Sequence, residues 1–324
     1  MTFSTELLRH CWFLAGPTAC GKTALSLALA ERLDAEIVAL DSMTLYRGMD
    51  IGTAKASLAE RVQVRHHMID VLDPHDEFSL AEYIVAAEAC CREIVDRGRT
   101  PLFVGGSGLY LRGILRGVFK GPEADWTLRR QLEERAANES SEALHRELAH
   151  IDPLAASRLH PNDLRRIIRA IEVHHLTGRP LSEQQNQPPK PPTERTPHVY
   201  WLCPPRDWLY TRIDSRVEQM FEQGLFAEVQ RLMTMARPLS RSARQAIGYN
   251  EVIDWIEASP FALDGGSKTN QQPSRELIEL IQTRTRQFAK RQYTWFRNLE
   301  ECVAVEMPDT ESLSELWNRI KSRV

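Results

Sequence analysis

The sequence of this 324-residue chain predicts an α/β fold: a parallel sheet core that carries an inserted all-helical domain. Short apolar runs alternate with helical patterns up to about residue 120, which is typical of a parallel sheet covered by helices. Residues 123–178 are helical and charged, without a strand-like run, and an apolar run returns at residues 199–203. We therefore predict a core of residues 1–120 and 197–324 and an inserted domain of residues 121–196.

The first elements of the core follow a regular order. An apolar run at residues 10–15 predicts a strand, and apolar residues at helical spacing from Ala24 to Leu33 predict the helix after it. Residues 37–40 predict a second strand. A helix with capping-box spacing begins near Ser79 and ends at Gly98.

The remaining elements complete the core. Residues 101–104 predict a third strand and residues 199–203 a fourth. Residues 207–235 predict one long amphipathic helix, residues 259–274 a loop, and residues 274–296 a further helix.

Composition bounds the class of protein. The chain is 42% apolar and 26% charged, contains no apolar run of membrane-spanning length and shows no signal-peptide pattern at its start. None of its six cysteines forms a C-x-x-C pair, which disfavours a zinc or redox site and favours a reducing compartment. We expect a cytoplasmic protein. Its net charge of −3 means that any contact with nucleic acid must come from local basic clusters.

Residues 16–23 match the pattern G-x-x-x-x-G-K-[ST] in full, between a predicted strand and a predicted helix. The glycines let backbone N–H groups turn inward around a phosphate, Lys22 supplies a positive charge, and Thr23 offers a hydroxyl for Mg²⁺. The motif predicts a phosphate-binding P-loop and, with the strand pattern, a core like that of P-loop NTPases. It does not say whether a phosphoryl group is transferred or a phosphate leaves.

Two further polar positions follow predicted strands, and functional sites in parallel sheets lie at the carboxyl ends of strands. Asp41 is interpreted as an Mg²⁺ ligand, as a general base, or as a helix N-cap. Ser107 lies in a Gly-Gly-Ser-Gly turn that permits close approach to a ligand, although a local turn or cap explains it equally well. Of the adjacent His66 and His67, we expect one to be structural and one to face the site.

Two basic clusters are candidates for RNA contact. Arg165, Arg166 and Arg169 form one, for which salt bridges to nearby acids are the alternative explanation. Residues 290–297, together with Arg284 and Arg286, mix basic and aromatic side chains, as phosphate contacts and base stacking require. The alternative there is a solvated helix face backed by core aromatics.

Taken together, these stretches resemble the bacterial tRNA dimethylallyltransferases over nearly the whole chain. The similar stretches are GPTACGKTALSLALA, DSMTLYRGMDIGTAK, HHMIDVLDP, VGGSGLYLRGIL, HPNDLRRIIRAIEV, QAIGYNEV and RQFAKRQYTWFRN. The second and the last are more specific than the P-loop. The resemblance implies transfer of a dimethylallyl group from dimethylallyl diphosphate to the exocyclic amine of the adenosine just 3′ of the anticodon of tRNA, with release of diphosphate.

The resemblance also implies roles for individual residues. Asp41 matches the general base, Ser107 a hydroxyl that contacts the diphosphate, and Arg216 an arginine near the diphosphate. The P-loop then holds the leaving diphosphate, through Gly16, Pro17, Thr18, Ala19, Cys20, Gly21, Lys22 and Thr23, with Thr23 on Mg²⁺. The residues that match tRNA-contacting segments are Asp41, Ser42, Met43, Thr44, Ser107, Arg129, Arg165, Arg166, Ile167, Ile168, Arg169, Gln245, Ala246, Ile247, Gly248, Tyr249, Asn250, Arg286, Lys290, Arg291 and Gln292.

The implied partners are the tRNA anticodon stem-loop and dimethylallyl diphosphate, with no membrane, and we expect a monomer. Cys20 stands where a serine is common and Ser107 where a threonine is common; both remain small, and Ser107 keeps the hydroxyl. Three alternatives stay open: prenylation of free adenine nucleotides, a small-molecule kinase, and an RNA-binding module with a vestigial P-loop. The inserted domain argues against a substrate as small as a free nucleotide. A kinase does not explain the basic and aromatic stretch at residues 290–297. A vestigial P-loop is disfavoured because Lys22, Thr23 and Asp41 are intact.

Overall fold

The computed structural model describes residues 1–185, 187–258, 273–307, 315 and 318–320. Among these residues, six strands form one sheet in which every neighbouring pair is parallel. The α/β prediction is thereby confirmed. The strands are β1 (Trp12–Ala15), β2 (Ala35–Leu40), β3 (His66–His67), β4 (Thr100–Gly105), β5 (Val199–Cys203) and β6 (Val303–Glu306), in the spatial order β3-β2-β4-β1-β5-β6.

In the described part, single helices alternate with the strands up to β4, whereas α5 to α10 lie between β4 and β5 and α11 to α15 lie between β5 and β6. They are α1 (Thr5–Arg9), α2 (Lys22–Leu33), α3 (Leu58–Gln63), α4 (Leu80–Asp96), α5 (Gly108–Arg116), α6 (Trp126–Asn138), α7 (Ser141–Ile151), α8 (Pro153–Arg158), α9 (Leu164–Thr177), α10 (Leu181–Gln184), α11 (Arg206–Glu222), α12 (Leu225–Met233), α13 (Arg241–Arg244), α14 (Tyr249–Ala258) and α15 (Arg275–Arg297), with a 3₁₀ turn at Pro192–Glu194.

The chain divides into two compact units. One comprises Met1–Thr2 and Arg116–Pro188, and the other Phe3–Leu115 and Pro189–Val324. The first contains α6 to α10 and has its own apolar core, which includes Leu132, Leu144 and Ile167. The predicted bounds of the inserted domain, residues 121–196, are shifted toward the C-terminus. The unit begins five residues earlier than predicted and ends eight residues earlier.

Most predicted elements are present, and the differences have local causes. The helix predicted over residues 207–235 is two helices, α11 and α12, because Gly224 between them has φ +100°, a left-handed conformation that interrupts a helix. The edge strands β3 and β6 were not predicted: β3 consists of two histidines, whereas β6 lies on a short apolar run at residues 302–305 that was overlooked. The loop predicted at residues 259–274 lies almost entirely outside the described residues.

The sheet brings three loops to one edge. In the strand register, Gly105 at the end of β4 pairs with both Leu40 at the end of β2 and Ala15 at the end of β1. Three neighbouring parallel strands therefore end side by side, and the loops that follow them begin at the same level. These loops carry the P-loop, Asp41 and Ser107. No helix in the described part of the chain has the length and apolar character needed to cross a bilayer.

Candidate active site

The P-loop connects β1 to α2, as its sequence predicts. Gly21 precedes the helix in a left-handed conformation with φ +89°, and α2 begins at Lys22. The start of this 12-residue helix thus follows the loop, and helix N-termini favour anions because their first N–H groups have no partner within the helix. Cys20 is fully buried beneath the loop, so its thiol is not accessible to solvent.

The ammonium group of Lys22 forms hydrogen bonds with the backbone of the P-loop. Its Nζ donates hydrogen bonds to the carbonyl oxygens of Gly16, at 2.9 Å, and Pro17, at 2.6 Å, and lies 3.8 Å from the Cys20 sulfur. The positive charge therefore stands inside the turn that a phosphate would occupy. Thr23, in the first turn of α2, is exposed.

Asp41 begins a turn and does not cap a helix. No helix starts at this residue; instead its Oδ1 accepts a hydrogen bond of 2.8 Å from the Met43 N–H. The helix N-cap interpretation is therefore wrong. Burial raises the pKa of the Asp41 carboxyl above its usual value, and the Met43 hydrogen bond and the charges of Lys22 and Arg216 only partly oppose this. A carboxylate with a raised pKa is a stronger base, which is the property that proton abstraction needs.

Arg216 lies on α11, close to Cys20 of the P-loop and to Asp41. Burial lowers the pKa of its guanidinium, and the charge of Arg212 lowers it further, while Cys20 and Asp41 act in the opposite direction. Arg212, one helical turn earlier, donates from Nε to the Ala19 carbonyl oxygen at 3.0 Å. Sequence reasoning missed this residue, although its spacing of four from Arg216 places both on one helix face.

Ser107 is tied to the end of β2 through its backbone. Its N–H donates to the Leu40 carbonyl oxygen at 3.2 Å, immediately before Asp41. Its own carbonyl oxygen accepts from the Leu111 N–H at 3.0 Å, in the first turn of α5. Ser107 thus occupies the position before a helix, and the same turn places it next to Asp41.

The two adjacent histidines differ in their surroundings. His67 lies with Nε2 2.6 Å from Glu36 Oε2, and Glu36 also accepts hydrogen bonds from Arg97, so His67 belongs to a structural network. The Nδ1 of His66 lies 2.7 Å from the Val64 carbonyl oxygen. Burial lowers the pKa of His66, which favours its neutral imidazole. Its contact with the site stays a prediction.

In the helical unit, some of the residues predicted to contact tRNA are exposed and others are buried. Arg165 and Arg166 are exposed, whereas Ile167 and Ile168 are buried in the core of the unit. The burial of these two side chains argues against their direct contact with RNA. The prediction of tRNA contact stays with the exposed arginines.

Arg129 and Arg169 share one buried carboxylate. Arg129 donates to both oxygens of Glu172 at 2.8 Å, and Arg169 donates to Oε2 at 2.5 Å. Glu172 is fully buried; burial would raise its pKa, but these hydrogen bonds hold it below the usual value. For Arg169, the salt-bridge explanation is therefore the one that the structure supports. Arg166 also pairs with a nearby acid, Asp163, at 3.2 Å, but stays exposed.

The segment predicted to contact tRNA at residues 245–250 is similarly divided. Gln245 is exposed and Ile247 and Asn250 are half-buried, whereas Ala246, Gly248 and Tyr249 are buried. The Tyr249 hydroxyl donates to Glu228 at 2.5 Å, and Glu228 also accepts from the N–H groups of residues 50–52.

Residues 42–44 form another segment predicted to contact tRNA. In this segment, Ser42 and Met43 are half-buried and Thr44 is buried.

On α15, neighbouring residues point to different surroundings. Lys290 and Arg291 are exposed, and Arg286 forms an ion pair with Asp214. Gln292 is only 3% exposed, and its amide contacts the P-loop and the loop after β4. This burial argues against tRNA contact by the Gln292 side chain.

The oxygen groups near the P-loop suit Mg²⁺. Mg²⁺ prefers oxygen ligands and is commonly held by few protein groups together with substrate phosphates and water. The Thr23 hydroxyl, exposed at the start of α2 directly after the P-loop, is a donor of this kind. Among the described residues, a separate group that meets the distance requirement for a cation is Asp73, His75 and Asp76, but Asp73 is already paired with Arg47.

Comparison with known proteins places this geometry in a family. Residues 44–299 match the family model described as IPP transferase. A tRNA dimethylallyltransferase of Geobacter metallireducens is 44% identical over 299 residues, which cover 90% of this chain and 91% of that protein. Another of Rhodopirellula baltica is 40% identical, with 96% of this chain and 92% of that protein covered.

Two solved structures agree in sequence and in fold. The full-length tRNA isopentenylpyrophosphate transferase of Bacillus halodurans is 38% identical with a TM-score of 0.65, covering 96% of this chain and 94% of that one. A eukaryotic dimethylallyltransferase, solved acting on tRNA, is 26% identical with a TM-score of 0.70, covering 97% and 76% respectively. By sequence and by structure, this chain belongs to the IPP transferase family.

Proposed function

We propose that this chain transfers a dimethylallyl group from dimethylallyl diphosphate to the exocyclic amine of the adenosine 3′-adjacent to the anticodon of tRNA. The observation that carries the proposal is the meeting, at three adjacent strand ends, of a P-loop, a carboxylate with a raised pKa and Ser107. A kinase would share the loop. The membership of the IPP transferase family favours a leaving diphosphate over a transferred phosphoryl group.

In the proposed reaction, the amine nitrogen forms a bond to C1 of the dimethylallyl group as the bond from C1 to the diphosphate oxygen breaks. The diphosphate leaves with the bonding electrons, and the proton of the amine passes to Asp41. Lys22, Arg216 and the N–H groups of the P-loop stabilise the growing charge on the diphosphate. Ser107 donates its hydroxyl to the same group.

We propose that Thr23 would hold Mg²⁺ through its hydroxyl when the diphosphate is bound. When bound, the ion neutralises charge on the leaving group. The Asp41 carboxylate then has a single proposed role, as proton acceptor.

The nucleic-acid partner is the anticodon stem-loop. A stacked base exposes its amine poorly, so the target adenosine is turned out into the site. The exposed Arg165, Arg166, Lys290 and Arg291 are the proposed phosphate contacts. The proposed acting form is a monomer, and the proposed setting is the cytoplasm.

One incubation tests the function. Dimethylallyl diphosphate labelled in its dimethylallyl group, or ATP labelled in its γ-phosphate, is mixed with Mg²⁺, the chain and an anticodon stem-loop. We expect only the dimethylallyl label in RNA. A matched stem-loop with guanosine at the position 3′ of the anticodon should stay unlabelled. Label from ATP in the RNA, or equal labelling of both stem-loops, would contradict the proposal.

Exchanging Arg165 and Arg166 together for alanine should weaken tRNA binding and flatten its salt dependence. Fewer counterions are released on binding when phosphate contacts are lost, so the negative slope of log K against log salt should become shallower by about 0.7–0.9 per contact. The measurement is a tRNA titration at several salt concentrations. A double exchange of Arg146 and Arg158, also exposed in the helical unit, serves as the charge-matched control. Equal slopes for both double variants would show that Arg165 and Arg166 do not contact phosphates.

A further inference from the structure

The amide of Gln292 bridges two loops of the candidate site. Its Oε1 accepts a hydrogen bond of 2.9 Å from the Thr18 N–H, inside the P-loop. Its Nε2 donates a hydrogen bond of 3.0 Å to the Gly106 carbonyl oxygen, in the loop after β4. These loops follow the neighbouring strands β1 and β4, and Gln292 comes from α15, far away in sequence. One side chain thus ties both loops to a third element.

The bridge is tightly enclosed. A Cβ atom added at Gly106 would lie 2.2 Å from Gln292 Nε2 and 3.3 Å from the Gly16 carbonyl oxygen, so glycine is what allows the amide to approach. Gln292 itself is 3% exposed. A buried amide that loses its partners is costly, and here both halves of the amide are satisfied by the backbone.

The contacts fix groups that the proposed reaction uses. Thr18 gives its N–H to Gln292, which sets the orientation of the peptide at the start of the P-loop turn. Gly106 directly precedes Ser107, whose N–H donates a hydrogen bond to the Leu40 carbonyl oxygen. Displacement of Gly106 would therefore move Ser107 relative to the P-loop.

We infer that Gln292 is a positioning residue of the diphosphate site, which holds the P-loop and the Ser107 loop at the separation that a diphosphate needs. The inference rests on the proposed function, because it concerns the same substrate. It separates Gln292 from Lys290 and Arg291, which share its helix but are exposed. Gln292 acts through the two loops and touches neither reacting atom.

Replacement of Gln292 by methionine tests the inference, because methionine keeps the length of the side chain but bonds to neither loop. Calorimetric titration with inorganic pyrophosphate and Mg²⁺, without tRNA, should show at least about tenfold weaker binding, since two hydrogen bonds that order the loops are lost. The KM for dimethylallyl diphosphate should rise in parallel. The Kd for tRNA should stay within about twofold, because no exposed residue changes.

Gln282→Met is the matched control. Gln282 lies on the same helix, is 9% exposed, and donates from Nε2 to the Asp214 carbonyl oxygen at 3.2 Å. The Gln282→Met variant therefore loses a side-chain hydrogen bond from the same helix, but one that reaches neither loop. Wild-type pyrophosphate binding by Gln282→Met, together with weak binding by Gln292→Met, would support the inference. Should Gln292→Met not fold, Gln292→Asn keeps an amide too short to span both contacts, and the same loss is expected.

The outcomes separate this inference from the proposed function. Equal pyrophosphate binding by the wild type and a folded Gln292 variant would overturn the inference alone. Equal losses in the Gln282 and Gln292 variants would also overturn it, because they would indicate a general effect of stability. Absence of pyrophosphate binding by the wild type would overturn the proposed function and this inference with it.

Discussion

Asp41→Asn should lower the single-turnover rate of dimethylallyl transfer by about 10²–10⁴-fold, the range typical of a lost general base. The adenine amine is a poor nucleophile because its lone pair is delocalised into the ring, so proton removal matters as the new carbon–nitrogen bond develops. Asparagine keeps the shape of the side chain but cannot accept the proton. Binding of tRNA and of dimethylallyl diphosphate should persist within a few-fold, because the P-loop is unchanged.

The same substitution should leave the fold intact. The Oδ1 of asparagine can still accept the hydrogen bond from the Met43 N–H that Asp41 accepts. Burial raises the pKa of Asp41 in the folded protein, so folding favours its protonated form, and the ionised carboxylate lowers stability once the pH exceeds that raised pKa. A neutral amide removes this penalty. At pH 7 the variant should therefore unfold at the same temperature as the wild type, or a higher one.

Three measurements check this result: single-turnover transfer at saturating substrates, its dependence on pH, and thermal unfolding. The wild-type rate should fall as the pH decreases through an apparent pKa above the usual aspartate value, and the variant should lack this acid limb. Asp34→Asn is the matched control, since Asp34 is an exposed carboxylate at the opposite end of β2 whose left-handed φ of +48° suits asparagine. A rate loss below about tenfold would remove Asp41 as the base.

The sequence was sufficient for those parts of the site that depend on local pattern. The P-loop motif between an apolar run and a helical pattern located β1 and α2. Asp41 and Ser107 were found because each follows a buried strand, and parallel strands end at the same edge. The register of β1, β2 and β4 then brings these ends together, as the alternation of strands and helices predicted.

Features that depend on tertiary contacts were not predictable in the same way. Arg169 pairs with Glu172 three residues later on the same helix, a spacing that the sequence shows, but Arg129 reaches this buried carboxylate from α6, and that contact depends on the packing of the helical unit. Gln292 follows two exposed basic residues, and the family resemblance placed all three toward tRNA. One residue further along a helix turns the side chain by about 100°, which here is the difference between solvent and the P-loop.

Lys22→Met should reduce turnover by about 10²–10³-fold, the loss typical when one group that stabilises developing negative charge is removed. The Nζ of Lys22 donates to the carbonyl oxygens of Gly16 and Pro17, so its charge lies within the loop. As the bond to the dimethylallyl group breaks, negative charge grows on the diphosphate oxygens there, and methionine has nothing to offer it. Mg²⁺ and Arg216 remain, which is why the loss should be partial.

The effect should be confined to the diphosphate, and this distinguishes it from a general loss of structure. We expect the Kd for tRNA to stay within about twofold, because Lys22 faces the loop and contributes no phosphate contact to RNA. Lys190→Met is the matched control: Lys190 is also a half-buried ammonium group held by a backbone carbonyl, that of Phe3 at 3.3 Å, but it has no contact with the P-loop. Steady-state turnover and tRNA titration of both variants make the comparison. If Lys22→Met turned over at a rate close to that of Lys190→Met, the P-loop lysine would have no part in diphosphate departure.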